Sequence, residues 1–142
     1  MSTSTLDTMR ASVEIPADGL WAAEAIEKPS AADWLLADQD AADLAAAATL
    51  ISLPGTGLQD AARVTNADWQ AWARDIQKTA LEARAAARAK DLTKFTAAAD
   101  HLTETCESCH TKYRPQNPSD GVARYPFYPP RTRDASSGFV AP

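Results

Sequence analysis

The sequence predicts an all-α fold, an antiparallel up-down-up-down four-helix bundle with a proline-rich irregular C-terminal tail. Three observations carry this expectation. Apolar residues recur at three- and four-residue steps through four successive stretches, the period of one helical face. Much of the 45% hydrophobic content is alanine, in runs such as "AADLAAAATL" and "EARAAARAK", and alanine mixed with Leu, Glu, Lys and Arg favours helix. Six of the nine prolines fall at or after position 115, where the helical period stops. No alternating β pattern competes with these signals.

The 142 residues make one domain's worth of chain, long enough to bury roughly two thirds of its unfolded surface. Fourteen basic residues against nineteen acidic ones give a formal charge of -5. No Lys/Arg stripe is placed to neutralise several phosphates, so nucleic acid is not expected as a partner. No apolar run reaches the roughly 18 to 20 residues of a membrane helix, so no membrane insertion is expected. The first twenty residues lack the cationic start and apolar centre of a secretory signal. A soluble chain is expected, with any export signal outside the given sequence.

The first helix is expected over about residues 4 to 28, with Leu6, Met9, Val13, Pro16, Leu20 and Ala23 on its seam. Ser4, with Asp7 three residues on, supplies an N-cap, and Pro29 ends the pattern. Pro16 removes one backbone hydrogen bond and predicts a kink or a split. Ser30 and Asp33 open the second helix in capping-box positions, with Trp34, Ala37, Ala41, Leu44, Ala48 and Ile51 on one face. Residues 54 to 65 form a turn-rich connection. Thr65 and Asp68 resemble another capping box, starting a third helix with Trp69, Trp72, Ile76 and Ala83 inward.

From about 67 to 114 no Gly or Pro interrupts the composition, yet a helix of nearly fifty residues exceeds ordinary globular lengths. A turn is expected near Lys90 and Asp91, because Asp91 can cap and the apolar frame slips there. The seam resumes as Leu92, Phe95, Ala99, Leu102, Cys106, Cys109 and Tyr113, the fourth helix. Residues 1–114 are thus the bundle and residues 115–142 the irregular extension, since "RYPFYPPR" cannot be a helix interior. That extension reads as a tail, packed or disordered, or as a polyproline segment for a partner.

The only two cysteines lie in "ETCESCHTKYR", and this stretch carries the chemistry. Cys106, Cys109 and His110 spell C-x-x-C-H, the attachment signature of a c-type haem, in which two thiols bond the porphyrin and the adjacent imidazole binds iron. At about 100° per residue, Cys109 and His110 fall about 60° and 40° to either side of Cys106, so all three face one group. Three other readings stand beside it. A redox dithiol uses C-x-x-C at a helix N-terminus after a strand, and here the motif lies deep in a helix. Zinc wants four ligands, and the one spare histidine, His101, points the opposite way from His110. A disulfide fits poorly across consecutive helical turns.

Together, "CESCHTKYR" near the end and "TMRASVEIPADGLW" near the start resemble the class II cytochromes c, the family of cytochrome c′ and the low-spin cytochrome c-556 proteins. These are four-helix bundles, and the likeness covers about residues 4 to 114. The tail is longer than the family's usual ending, so no role is carried over to it. The resemblance implies one covalent haem c per chain on Cys106 and Cys109, with His110 as proximal iron ligand. It places Arg114 beside that imidazole; on its own, Arg114 reads equally as an exposed arginine favoured by the helix dipole. Tyr113 reads as packing.

In this family the distal position near the start of the first helix holds either methionine or an apolar residue. Antiparallel geometry puts Met9 in the same neighbourhood, level with His110. A methionine on an apolar stripe is ordinarily filler, but the match of "TMR" to the low-spin members implies ligation. His/Met coordination raises the reduction potential and suits an electron carrier. Without it, the expectation becomes a five-coordinate protein binding NO or CO. Arg10 reads as a haem-propionate contact or as solvated. Trp21, Trp34, Trp69 and Trp72 read first as core, and any could border a porphyrin.

No paired acids, nucleophile triad or phosphate-cradling loop appears, so an enzyme is not expected. The resemblance implies a periplasmic location and transient redox protein partners. It leaves a homodimer through the first two helices open.

Overall fold

The computed structural model describes residues 2–114. The extension expected over 115–142 lies outside the described residues. Within them the chain is all-helical. The first helical stretch comprises α1, Thr5–Thr8, a π-helical turn over Met9–Val13, and α2, Glu14–Glu24. Ser4 caps it, its hydroxyl accepting the Asp7 N–H at 3.1 Å. The split expected at Pro16 falls one turn earlier, as the π turn. Pro16 then occupies the first turn of α2, where a missing N–H costs least. The stretch stops at Glu24 and not near Lys28. The Ile26 N–H bonds to Ala23 O at 3.1 Å, a tighter closing turn that frees the chain to reach Ser30.

The second long helix, α3, spans Ala31–Ile51 behind a complete Ser30–Asp33 capping box. Its expected seam of Trp34, Ala37, Ala41, Leu44, Ala48 and Ile51 is buried throughout. The connection that follows carries a one-turn helix, α4, Asp60–Arg63. Then α5 runs Ala67–Ala89. The Thr65–Asp68 capping box does not form. Asn66 is the N-cap residue without a side-chain cap bond, Thr65 donates to Ala62 O at 2.7 Å, and the Asp68 carboxylate is held by the last helix instead.

Lys90 ends α5 in the left-handed region at φ 56°. The Asp91 N–H reaches back to Ala86 O at 2.9 Å, satisfying a carbonyl the helix end leaves open. Asp91 in turn accepts the Lys94 N–H at 3.0 Å and starts α6, Leu92–Tyr113. The break expected at Lys90 and Asp91 is therefore real.

Contacts between helices fix their directions. Arg84 and Arg88 near the end of α5 both bond Asp38 in the first half of α3. The Trp69 indole, at the start of α5, donates to Ile51 O at the end of α3 at 2.7 Å. Asp68 meets Lys112 and Tyr113, and Asp75 meets His101 and Thr105, so α5 and α6 also run oppositely. Trp21 in α2 donates to Ala99 O of α6 at 3.3 Å. Gly19 lets α2 close on α3: a Cβ there would overlap the buried Asp40 carboxylate. Phe95, Leu20, Leu44 and Leu102 are the large, fully buried side chains. Among the described residues, no helix is long and apolar enough to cross a membrane.

Candidate functional site

One end of α6 lies beside the start of the first helical stretch, and a crevice of about 90 Å³ opens between them. Cys106, Cys109 and His110 line it from α6, Arg114 from just past the end of that helix, and Met9 and Arg10 from the π turn. All six residues singled out in the sequence therefore meet at one place. Helical spacing explains the α6 side: positions 106, 109, 110 and 114 are three and four residues apart and share a face. The antiparallel run of α6 against α2 brings Met9 level with them.

Cys106 and Cys109 are buried free thiols. Burial pushes Cys106 up to about 12, with the neighbouring Cys109 and Glu107 adding to the effect. Burial likewise takes Cys109 up to about 11, with Asp68 adding. Both shifts run opposite to the depressed values of reactive dithiol sites. They describe thiols that stay protonated and inert in the bare chain.

His110 is half-buried, and among the described residues its buried Nδ1 has no hydrogen-bond partner. Such an orphan costs about 1–3 kcal/mol. Burial, and then the positive charge of Arg114, lower its pKa below the ordinary histidine value of 6.5. The ring is thus neutral near pH 7, the form that ligates metals. Arg114 is also tied to the turn, its N–H donating to His110 O at 2.7 Å. Met9 is half-buried and packs against the core cluster.

The remaining lining is mainly apolar: Leu6, Val13, Ala17, Trp21 and Ile76, with Glu14 as the one added carboxylate. Leu6 was expected on the buried seam; it is 51% exposed, at the rim of the crevice. Of the four tryptophans only Trp21 lines the crevice. Trp34 packs edge-on to Phe95, and Trp69 and Trp72 pack edge-on to Tyr113. Val13 and Ala17 lie four and eight residues after Met9, a spacing visible in the sequence. Ile76 comes from α5, where the helical period marks it as inward-facing but not as part of the crevice.

His101 stands outside the crevice, half-exposed, its Nε2 at 2.9 Å from Asp75. Tyr113 is more than packing, since its hydroxyl donates to Asp68 at 2.7 Å. Among the described residues, no three of His, Cys, Asp and Glu converge as a metal cage. The donor set nevertheless suits a haem: two thiols three residues apart, a neutral imidazole with an unclaimed nitrogen, a thioether across from it, and apolar walls. No family model, curated protein or solved structure matches the chain.

Proposed function

We propose that the chain is a mono-haem c-type cytochrome that carries electrons and is not an enzyme. The four long helices are then an up-down-up-down four-helix bundle of the class II cytochrome c type, built to present the crevice. The observation that carries this reading is the meeting of Cys106, Cys109, His110 and Met9 around that crevice. Cys106 and Cys109 would hold haem c through thioether bonds, His110 would take the proximal position on iron, and Met9 the distal one. Bound there, the group supplies a one-electron iron couple.

The chain's own residues do the rest. Burial and Arg114 keep His110 neutral and able to ligate. Trp21, Val13, Ala17 and Ile76 exclude water, which limits reorganisation when charge changes. Arg10, at the crevice, would offset an acidic propionate, and Arg114 would stand beside the His110 imidazole. At about 90 Å³ the crevice is smaller than the roughly 300–1,000 Å³ of ordinary ligand pockets. Porphyrin attachment would therefore part the first helical stretch from α6, and the π turn there is a soft place to do so.

Haem attachment of this kind points to the periplasm, with transient redox proteins as partners. A small docking patch around the crevice mouth suits short encounters. With a formal charge of -5, a basic partner surface would speed association at low salt. Absorption spectra of the oxidised and reduced protein test the reading. A weak far-red thioether band in the ferric form and a low-spin reduced spectrum are expected, and Met9→Ala should lose both. A spectrum unchanged in Met9→Ala would refute Met9 ligation; a high-spin wild type that takes up NO or CO would favour an open distal side.

A further inference from the structure

We infer that Asp60 is a positioning residue for the Met9 side of the crevice: its carboxylate latches the turn that carries Met9 and so sets where the sulfur stands opposite His110. This rests on the reading of Met9 as distal ligand. Asp60 is 2% exposed on α4, far along the chain from either cysteine. One oxygen, Oδ2, accepts the Thr5 N–H and the Gly57 N–H, each at 2.8 Å. A buried carboxylate is costly unless it is bonded in this way. Arg63 adds an ion pair at 3.5 Å. Burial alone would push Asp60 up, but these backbone bonds outweigh it and hold its pKa below the ordinary value.

The loop closes on the helix start tightly. A Cβ on Gly57 would lie 2.7 Å from Asp60 Oδ2, and one on Gly55 would lie 2.8 Å from Thr5 N and 2.9 Å from Thr3 O. A further bond runs from Thr56 N–H to Thr3 O at 3.0 Å. The connection 55–60 therefore grips residues 3–5 through main-chain groups.

This grip matters because α1 is the terminal turn of the first helical stretch, where helices fray. It has four residues, and a single turn does not sustain a helix in water. The π turn follows it directly, with the Glu14 N–H bonding Met9 O, so α1 is the free end of the first helical stretch and the latch fixes that end. Met9 joins α1 directly, its N–H bonding back to Leu6 O and Thr5 O. Thr5 is thus fixed by Asp60, Met9 is fixed by Thr5, and slack at Asp60 reaches the methionine within one turn.

The test uses the full chain with haem attached, reading the ferric thioether band, and the haem-free chain, reading amide hydrogen exchange at Thr5. Asp60→Ala should weaken the band on the order of tenfold and speed exchange at Thr5 by a similar factor, through loss of two charge-assisted bonds. Asp60→Asn should keep most of the band, because one amide oxygen can still accept both N–H groups. Ser30→Ala, which uncaps α3 at a distance, should lower overall stability and leave the band intact. If Asp60→Ala cannot be recovered folded, Gly57→Ala decides in its place, since its Cβ presses on the same carboxylate. A band present in the wild type and undiminished in the latch variant would overturn the inference alone. A wild type with no thioether band would overturn the Met9 reading, and the latch role with it.

Discussion

Truncating Phe95 probes how α6, the helix with the cysteines and His110, is anchored. Phe95 is 0% exposed and meets Trp34 of α3 edge-on, with centroids 5.6 Å apart and planes at 86°. Phe95→Ala removes a whole ring from a closed core, which costs about 3–5 kcal/mol. For a chain of this length that lowers the melting temperature by roughly 10 to 20 °C. The edge-on pair supplies about 0.5–1.5 kcal/mol of the total. A double-mutant cycle of Phe95→Ala and Trp34→Ala isolates that share in equilibrium urea denaturation of the full chain. The expected coupling is about 1 kcal/mol, with an unchanged denaturant slope. A coupling below about 0.3 kcal/mol would refute the claim that α3 and α6 meet through these rings.

Two further perturbations test local claims. The Asp68 carboxylate receives Lys112 and Tyr113, and these bonds bring its pKa down from 3.8 to about 2. A depressed carboxylate stabilises the fold fully above its unfolded value and loses that contribution as pH falls through its folded value. The melting-temperature gap between wild type and Asp68→Asn should therefore be constant above about pH 5, shrink from there, and vanish only below the folded value, toward about pH 1; a gap independent of pH would contradict the assignment. Lys90 sits in the left-handed region at φ 56°, where a side chain costs about 1 kcal/mol relative to glycine. Lys90→Gly should raise stability by up to about 1 kcal/mol, reversing the usual penalty of glycine in a helix; a loss of stability would show that the α5 end is built otherwise.

Much of the fold was legible because its signals are local. Ser4, Ser30 and Asp91 declare helix starts within three residues, and each side chain does accept the expected N–H. The buried faces of α3 and α6 follow from period alone. The break at Lys90 was readable from a frame slip, though the residue usually found in that conformation is glycine. What stayed hidden depends on contacts between distant segments. Asp68 looks like a cap partner for Thr65, yet Tyr113 and Lys112, over forty positions on, claim its oxygens. Asp60 looks like a turn acid, and its bond to Thr5 spans 55 residues. The π turn has no composition of its own; Pro16 announced a disturbance without its place. At the crevice, spacing on one helix put Cys106, Cys109, His110 and Arg114 together. The choice of Trp21 over three other tryptophans needed the packing, because all four lie on plausible apolar faces.

Covalent attachment of one haem at Cys106 and Cys109 is the central claim, and intact-mass analysis of denatured protein tests it most directly. The full chain, produced with a working haem-attachment system, should be coloured and carry the mass of one haem above its 15.2 kDa polypeptide. Replacing either cysteine should lower that yield sharply. Colourless protein at the bare polypeptide mass would contradict the account.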